Sequence, residues 1–531
     1  MIAELRAKGP HELNEFTRSL KKQVKDLVVD KIPHLESSLA VAELTVALHY
    51  TMHTPEDILI WDVSHQAYFH KALTGRLALL EGQRKTGGIS GFTSREESDF
   101  DAFGAGHAST SISALAGMAQ AHKLQSPGTP RKFVAVIGDG SMTGGMSFEA
   151  LNHAATLGLD LHVIINDNRL SIDPTVGALH QRNSYQAYVE SLGWEYTKAT
   201  DGNNTELLAG QLATWLEKKG PQVLHVSTEK ELLSSAKSKK YTTFQKIAGE
   251  ALESVFEQHQ KLTLLSPAML YGGGLSGLAK SNPSRVIDTG INEPHTVTMG
   301  AGMAAAGVPT IVHIYSTFLQ RAIDQVLHDV ALQKLPMVFL VDRAGVVGAD
   351  GATHNGVFDL GMLADVPGAT IWNPKDGGEL RSMLLELRAD EFWKSLGGPL
   401  FIRYPKEETK DVRKPSWSPL QVLEQCNSNT LLISTGWLSQ TASMPFVDHV
   451  HLAQMLPIPE ALLETIAGYE TVITMEEANG YGGLSGVVAQ LISAQDLEVK
   501  HIVRKIPHKF TEHGDRKWIL EHYGLLPNSK R

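Results

Sequence analysis

VAVIGDGSMTGGMSFEALNHA, residues 134–154, decides the fold. An apolar run stops at Gly138-Asp139-Gly140. Small residues follow, and a helical pattern begins near Ser147 and runs to Leu157, where Gly158 ends it. A fully apolar strand leading into a helix belongs to a parallel sheet covered on both faces. The next apolar run, LHVIIN (161–166), ends in Asn166-Asp167-Asn168. The intervening residues suffice for one helix and two turns, a single right-handed crossover. Asp139 and Asn168 can therefore converge at the carboxyl ends of strands, where open parallel sheets bind ligands. Their oxygens suit Mg²⁺ or Ca²⁺ better than Zn²⁺, and an ion with so few protein ligands shares phosphate oxygens with a bound molecule. Gly138, Gly140, Gly144 and Gly145 let the backbone approach that phosphate, and Gly140 and Ser141 are candidate cofactor-binding residues. Neither a GxGxxG nor a GxxxxGK[ST] motif is present.

The same alternation continues through the 531 residues. QVLHVS (222–227) extends the first set of strands. A Lys/Ser-rich segment, 231–243, marks a boundary. TIVHIYS (310–316), MVFLVDR (337–343), ATIWNP (369–374) and PLFIRYP (399–405) follow, then a charged linker at 406–419. TLLIST (430–435), TVITMEE (471–477) and KHIVRKIP (500–507) complete a third set. The expected fold class is α/β, with three domains at 1–238, 239–410 and 420–531, each a mainly parallel sheet flanked by helices. A net charge of −10 argues against nucleic acid and acidic membranes as partners. One cysteine, Cys426, and an N-terminal stretch without an apolar core point to a cytoplasmic, reducing setting.

GDG followed at this spacing by NDN, each after a buried strand, is the pattern of thiamine-diphosphate enzymes. Such an enzyme needs a carboxyl group that protonates the cofactor's aminopyrimidine, and burial favours the protonated form. Glu293, in DTGINEPHTVTMGAGMAAAG (288–307), heads an apolar, small-residue helix and is the candidate. Phe318 is a candidate ring to stack on the pyrimidine.

The chain resembles the 1-deoxy-D-xylulose-5-phosphate synthases of the transketolase group from about Ser37 to its end. WDVSHQAYFHKALTGR (61–76), GGISGFTSREESDFDAFGAGHASTSIS (87–113), IYSTFLQRAIDQVLHDVALQKLP (314–336), DRAGVVGADGATHNGVFDL (342–360) and PHKFTEHG (507–514) carry the resemblance. It implies a transketolase-like fold, a homodimer, and thiamine diphosphate with Mg²⁺ as cofactors. The substrates would be pyruvate, which loses CO₂, and D-glyceraldehyde 3-phosphate, joined as 1-deoxy-D-xylulose 5-phosphate for isoprenoid, thiamine and pyridoxal precursors. By the same resemblance Asp139, Asn168 and the Leu170 carbonyl hold Mg²⁺, and His107 and Ser109 lie near the cofactor. His34, His65 and His354 serve the reacting carbon, where groups titrating near neutrality are useful. Tyr315, Arg321, Arg343, Asp350 and Arg403 line the substrate pocket, with arginine suited to phosphate.

The chain also departs from that pattern. Ile32-Pro33 precede His34 where the family has Gly-Gly, and Glu36 follows it. Ser64 stands for glycine, and Asn203 for a histidine. The segment after HVSTEK is short and lacks a diphosphate-contacting lysine, for which Lys237, Lys239 or Lys240 is the available substitute. These departures keep two other readings open. One is a thiamine-dependent transketolase-like transferase with another acceptor or donor. The other is a paralogue that binds the cofactor without turnover.

Overall fold

The computed structural model describes residues 1–28, 35–169, 175–229, 242–409, 416–442 and 444–527. The chain divides into two units. One comprises Met1–Ser238 with Gly290–Asn292, the other Lys239–Thr289 with Glu293–Arg531. Among the described residues no helix is long and apolar enough to cross a membrane.

The first unit is built on five parallel strands: β1 (Ile58–Trp61), β2 (Phe133–Gly138), β3 (Leu161–Asp167), β4 (Glu195–Lys198) and β5 (Pro221–Ser227). Their order is β1-β2-β3-β5-β4. Alternate residues of β2 feed two cores. Val134 and Val136 pack with Leu20, Leu44 and Leu212, while Ala135 and Ile137 pack with Leu115 and Leu151. Burial on both faces is why the strand reads as one apolar run. The helix after it spans Gly145–Ala154, two residues earlier at its start than the sequence suggests. Gly158, in a left-handed conformation at φ 60°, turns the chain toward β3.

The second unit holds two sheets. Six parallel strands form most of the larger: β6 (Thr263–Ser266), β7 (Val286–Asp288), β8 (Thr310–Tyr315), β9 (Met337–Asp342), β10 (Thr370–Trp372) and β11 (Leu400–Tyr404). The smaller contains β12 (Leu420–Glu424), β13 (Thr430–Ser434), β14 (Asp448–Leu452), β16 (Thr471–Glu476) and β17 (Lys500–Lys505). Its order is β12-β14-β13-β16-β17, with only β12 antiparallel. β15 (Gln454–Leu456) leaves this region and pairs antiparallel with β10, completing the larger sheet in the order β15-β10-β11-β9-β8-β6-β7. The two sheets are thus joined by a short stretch of chain, since β15 directly follows β14.

They also share a buried polar chain. Glu379, in the helix Gly377–Glu386, accepts a hydrogen bond from Lys375 N–H at 2.8 Å and lies 3.1 Å from His451 Nε2 on β14. His451 Nδ1 reaches Ser439 Oγ at 2.7 Å, Ser439 reaches Ser434 at 2.7 Å, and Ser434 reaches His449 Nε2 at 2.7 Å. Burial alone would raise the Glu379 carboxyl, but His451 and Lys375 outweigh it and bring it down to about 2 from its ordinary 4.5. A carboxyl lowered on folding stabilises above its ordinary pKa, and that stabilisation is lost as pH falls through the folded value. Here it amounts to about 3 kcal/mol at neutral pH. Glu379→Gln should unfold at a lower temperature than the wild type at neutral pH. The gap should close as pH falls from about 5 to about 2; a gap constant with pH would contradict this account.

Candidate active site

The site in the first unit follows from strand register. β2 and β3 pair so that Gly138 lies opposite Asn166, and Asp139 N–H donates to the Asn166 carbonyl at 3.1 Å. Asp139 therefore leaves the sheet beside Asp167, and both carboxylates are buried. Asp139 Oδ2 accepts from Thr175 Oγ1 at 3.1 Å and faces His180 Nδ1 at 3.6 Å. Asp167 Oδ2 lies 3.0 Å from His225 Nε2, and His225 Nδ1 lies 2.7 Å from the Tyr196 hydroxyl. Burial, followed by the Asp167 charge, pushes the Asp139 carboxyl up. Burial also acts to raise Asp167, but the His225 hydrogen bond and charge prevail and hold it low.

One ligand atom each from Asp139, Asp167 and His180 lie within 4.8 Å of one another. This donor set fits a divalent cation. Asn168 follows Asp167 directly and is half-buried. The expected third ligand, Leu170, lies outside the described residues, as do His34, Lys237, Lys239 and Lys240. The sequence reading did not select Asp167 or His180. Their signals were the central residue of NDN and the histidine that follows VGAL (176–179).

Two loops meet beside this pair. Asp62, just after β1, accepts from Ser109 N–H at 2.8 Å and from Ser111 N–H at 3.1 Å. Those bonds fix the GHAST turn, which includes half-buried His107 and holds Ser109 at φ 70°. Ser109 Oγ then donates to the Ser141 carbonyl at 2.7 Å, tying the turn to the loop after Gly140. A Cβ on Gly144 would stand 2.2 Å from Ser109 Oγ, so this close approach requires glycine. Asp62 was a further residue that sequence reasoning missed. Ser64 adopts φ 66°, a conformation that favours the glycine expected there, yet its hydroxyl accepts from Thr93 N–H at 2.8 Å. His65 next to it is half-buried.

In the second unit Glu293 begins the helix Glu293–Ala305 and is 3 % exposed. Burial pushes its carboxyl up; Arg321, 3.8 Å away, partly opposes this. Tyr315 stacks on Phe318 with centroids 5.7 Å apart, and Phe318 meets His354 edge to face at 5.5 Å. The Arg343 guanidinium lies 3.6 Å from the Tyr315 ring centroid, and its NH1 donates to Asp342 at 2.9 Å. Asp350 immediately precedes the turn Gly351–Thr353, and Thr353 Oγ1 lies 2.8 Å from His354 Nδ1. Arg403 is differently placed. Its Nε and NH2 donate to the two oxygens of buried Asp359 at 2.9 and 2.7 Å, and its NH1 donates to Asn373 at 2.7 Å. Its charge is matched within the protein.

The chain is similar in sequence to known proteins. A family model described as 1-deoxy-D-xylulose-5-phosphate synthase matches residues 1–187, and one described as the transketolase pyrimidine binding domain matches residues 240–411. The 1-deoxy-D-xylulose-5-phosphate synthase of Methylobacillus flagellatus is 35% identical over 606 aligned positions, covering 98% of this chain and 96% of its own. That of Thioalkalivibrio sulfidiphilus is 36% identical, covering 98% and 92%. The first alignment is longer than the 531 residues of this chain, so the relative has segments with no counterpart here. Among solved structures, transketolase from Leishmania mexicana aligns at 15% identity with a TM-score of 0.45, covering 98% of this chain and 96% of its own. The chain belongs to the 1-deoxy-D-xylulose-5-phosphate synthase family, transferases of the transketolase group that depend on thiamine diphosphate and a divalent metal.

Proposed function

We propose that the residues described above carry out the family reaction, the decarboxylating condensation of pyruvate with D-glyceraldehyde 3-phosphate to 1-deoxy-D-xylulose 5-phosphate. Glu293 carries this reading. Burial at a helix start pushes the Glu293 carboxyl up, toward the protonated form that the cofactor's pyrimidine ring nitrogen requires of its partner. Thiamine diphosphate, when bound, supplies the nucleophilic carbon and the electron sink for loss of CO₂.

The chain's own groups do the rest. Asp139, with Asn168 and the Leu170 carbonyl, would hold the divalent ion, and Gly140, Ser141, His107 and Ser109 would shape the loops around the cofactor. Phe318 supports the pyrimidine. His65 and His354, with His34, move protons to and from the oxygens that gain charge as bonds form and break. Tyr315 and Asp350 orient the substrates, and Arg343 and Arg321 attract their carboxylate and phosphate groups. Arg403 and Asp359 act as one neutral unit that fixes the floor of this region. A homodimer and a cytoplasmic setting complete the reading, supported by the family resemblance and the single cysteine.

Glu293→Gln should reduce CO₂ release from pyruvate by a factor of about 10² or more, without change in circular dichroism. Full activity in this variant would overturn the role of Glu293. Arg403→Ala should cost about 3–5 kcal/mol in denaturant unfolding because it strands a buried carboxylate. The double variant Arg403→Ala/Asp359→Ala should lose less than the sum of the single losses; strict additivity would show that the two do not act together.

A further inference from the structure

His180 lies outside the family's metal set and beside its aspartate. It sits in the four-residue helix Ala178–Gln181, with Nδ1 3.6 Å from Asp139 Oδ2 and 3.3 Å from the Tyr185 hydroxyl. Tyr185 is fully buried, so this neighbour is fixed by the core. On the other side Asp167 is oriented through His225, itself held by Tyr196. The arrangement has the form of a metal centre with an outer shell. Two buried carboxylates and an imidazole converge; Thr175 Oγ1 donates to Asp139, His225 orients Asp167, and the Tyr185 hydroxyl lies beside His180 Nδ1.

The donor chemistry has a consequence. A set made only of oxygens suits Mg²⁺, which binds nitrogen poorly. Adding an imidazole favours borderline first-row ions, whose affinities rise from Mn²⁺ through Co²⁺ to Ni²⁺. Two carboxylates also bring a formal charge of −2, enough to neutralise a divalent ion without help from a diphosphate. We propose that Asp139, Asp167 and His180 bind a first-row divalent transition ion in the cofactor-free protein, and that His180 gives this site its preference over Mg²⁺. The site shares Asp139 with the metal of the proposed reaction and so rests on that reading for its role in the enzyme, but not for its binding.

The test uses the full chain, freed of metal by chelation and with no thiamine diphosphate present. Co²⁺ is titrated by visible absorption, and Co²⁺, Mn²⁺ and Mg²⁺ by calorimetry. The wild type should bind Co²⁺ more tightly than Mg²⁺, with a ligand-field spectrum indicating nitrogen coordination. His180→Ala should weaken Co²⁺ at least about tenfold, the lower end of what losing even an outer-shell partner costs, and leave Mg²⁺ nearly unchanged. Asp167→Asn should weaken all three ions. If His180→Ala does not fold by circular dichroism, His180→Asn offers an amide oxygen in its place and should show the same loss of Co²⁺ preference. Failure of the wild type to bind Co²⁺ overturns the proposal, as does Co²⁺ affinity and spectrum unchanged in the His180 variant. Loss of sugar-phosphate synthesis with Co²⁺ binding intact would count against the reaction and not against this site.

Discussion

The parallel register of β2 and β3 is the constraint on which the first unit depends. With Gly138 opposite Asn166, the two strands end together, and Asp139 and Asp167 leave the sheet side by side. Two buried carboxylates at this separation repel one another and have lost their hydration. The surrounding structure answers that cost. His225 and Tyr196 secure Asp167, while Thr175 and His180 meet Asp139. A divalent cation would complete the compensation. The GHAST turn, fixed by Asp62, is packed against the same loop so closely that Gly144 admits no side chain.

The second unit treats a buried carboxyl in the opposite way. Glu293 has Arg321 near it, at 3.8 Å, and burial prevails, pushing its carboxyl up. Asp359 is fully buried too, but Arg403 matches it with two hydrogen bonds and holds it as an ion pair. The two carboxyls show how environment separates like groups: burial pushes one up, while an arginine pairs with the other. Arg343, half-buried, lies over the Tyr315 ring and donates to Asp342.

Much of this was legible in the sequence. The largely apolar runs of β2, β3, β8 and β9 mark strands covered on both faces, and the structure buries them so. Glu293 stood out because its flank is apolar and small. Strands β1, β4, β6 and β7, of three or four residues each, were not picked out, whereas the equally short β10 was, within the longer run ATIWNP (369–374). β14 was missed as well. Its sequence DHVHL looks polar, yet His449 and His451 are buried because Ser434, Ser439 and Glu379 satisfy them. The same limit hid Asp62, Asp167 and His180, whose partners are remote in sequence. It also hid the ion pair of Arg403 with Asp359.

The most direct test is an assay of the purified chain with thiamine diphosphate, Mg²⁺ and pyruvate, with and without D-glyceraldehyde 3-phosphate, following CO₂ and sugar phosphate together. The account predicts 1-deoxy-D-xylulose 5-phosphate and an equal amount of CO₂ when the aldehyde is present. Absence of both products from protein shown to have bound the cofactor would contradict it.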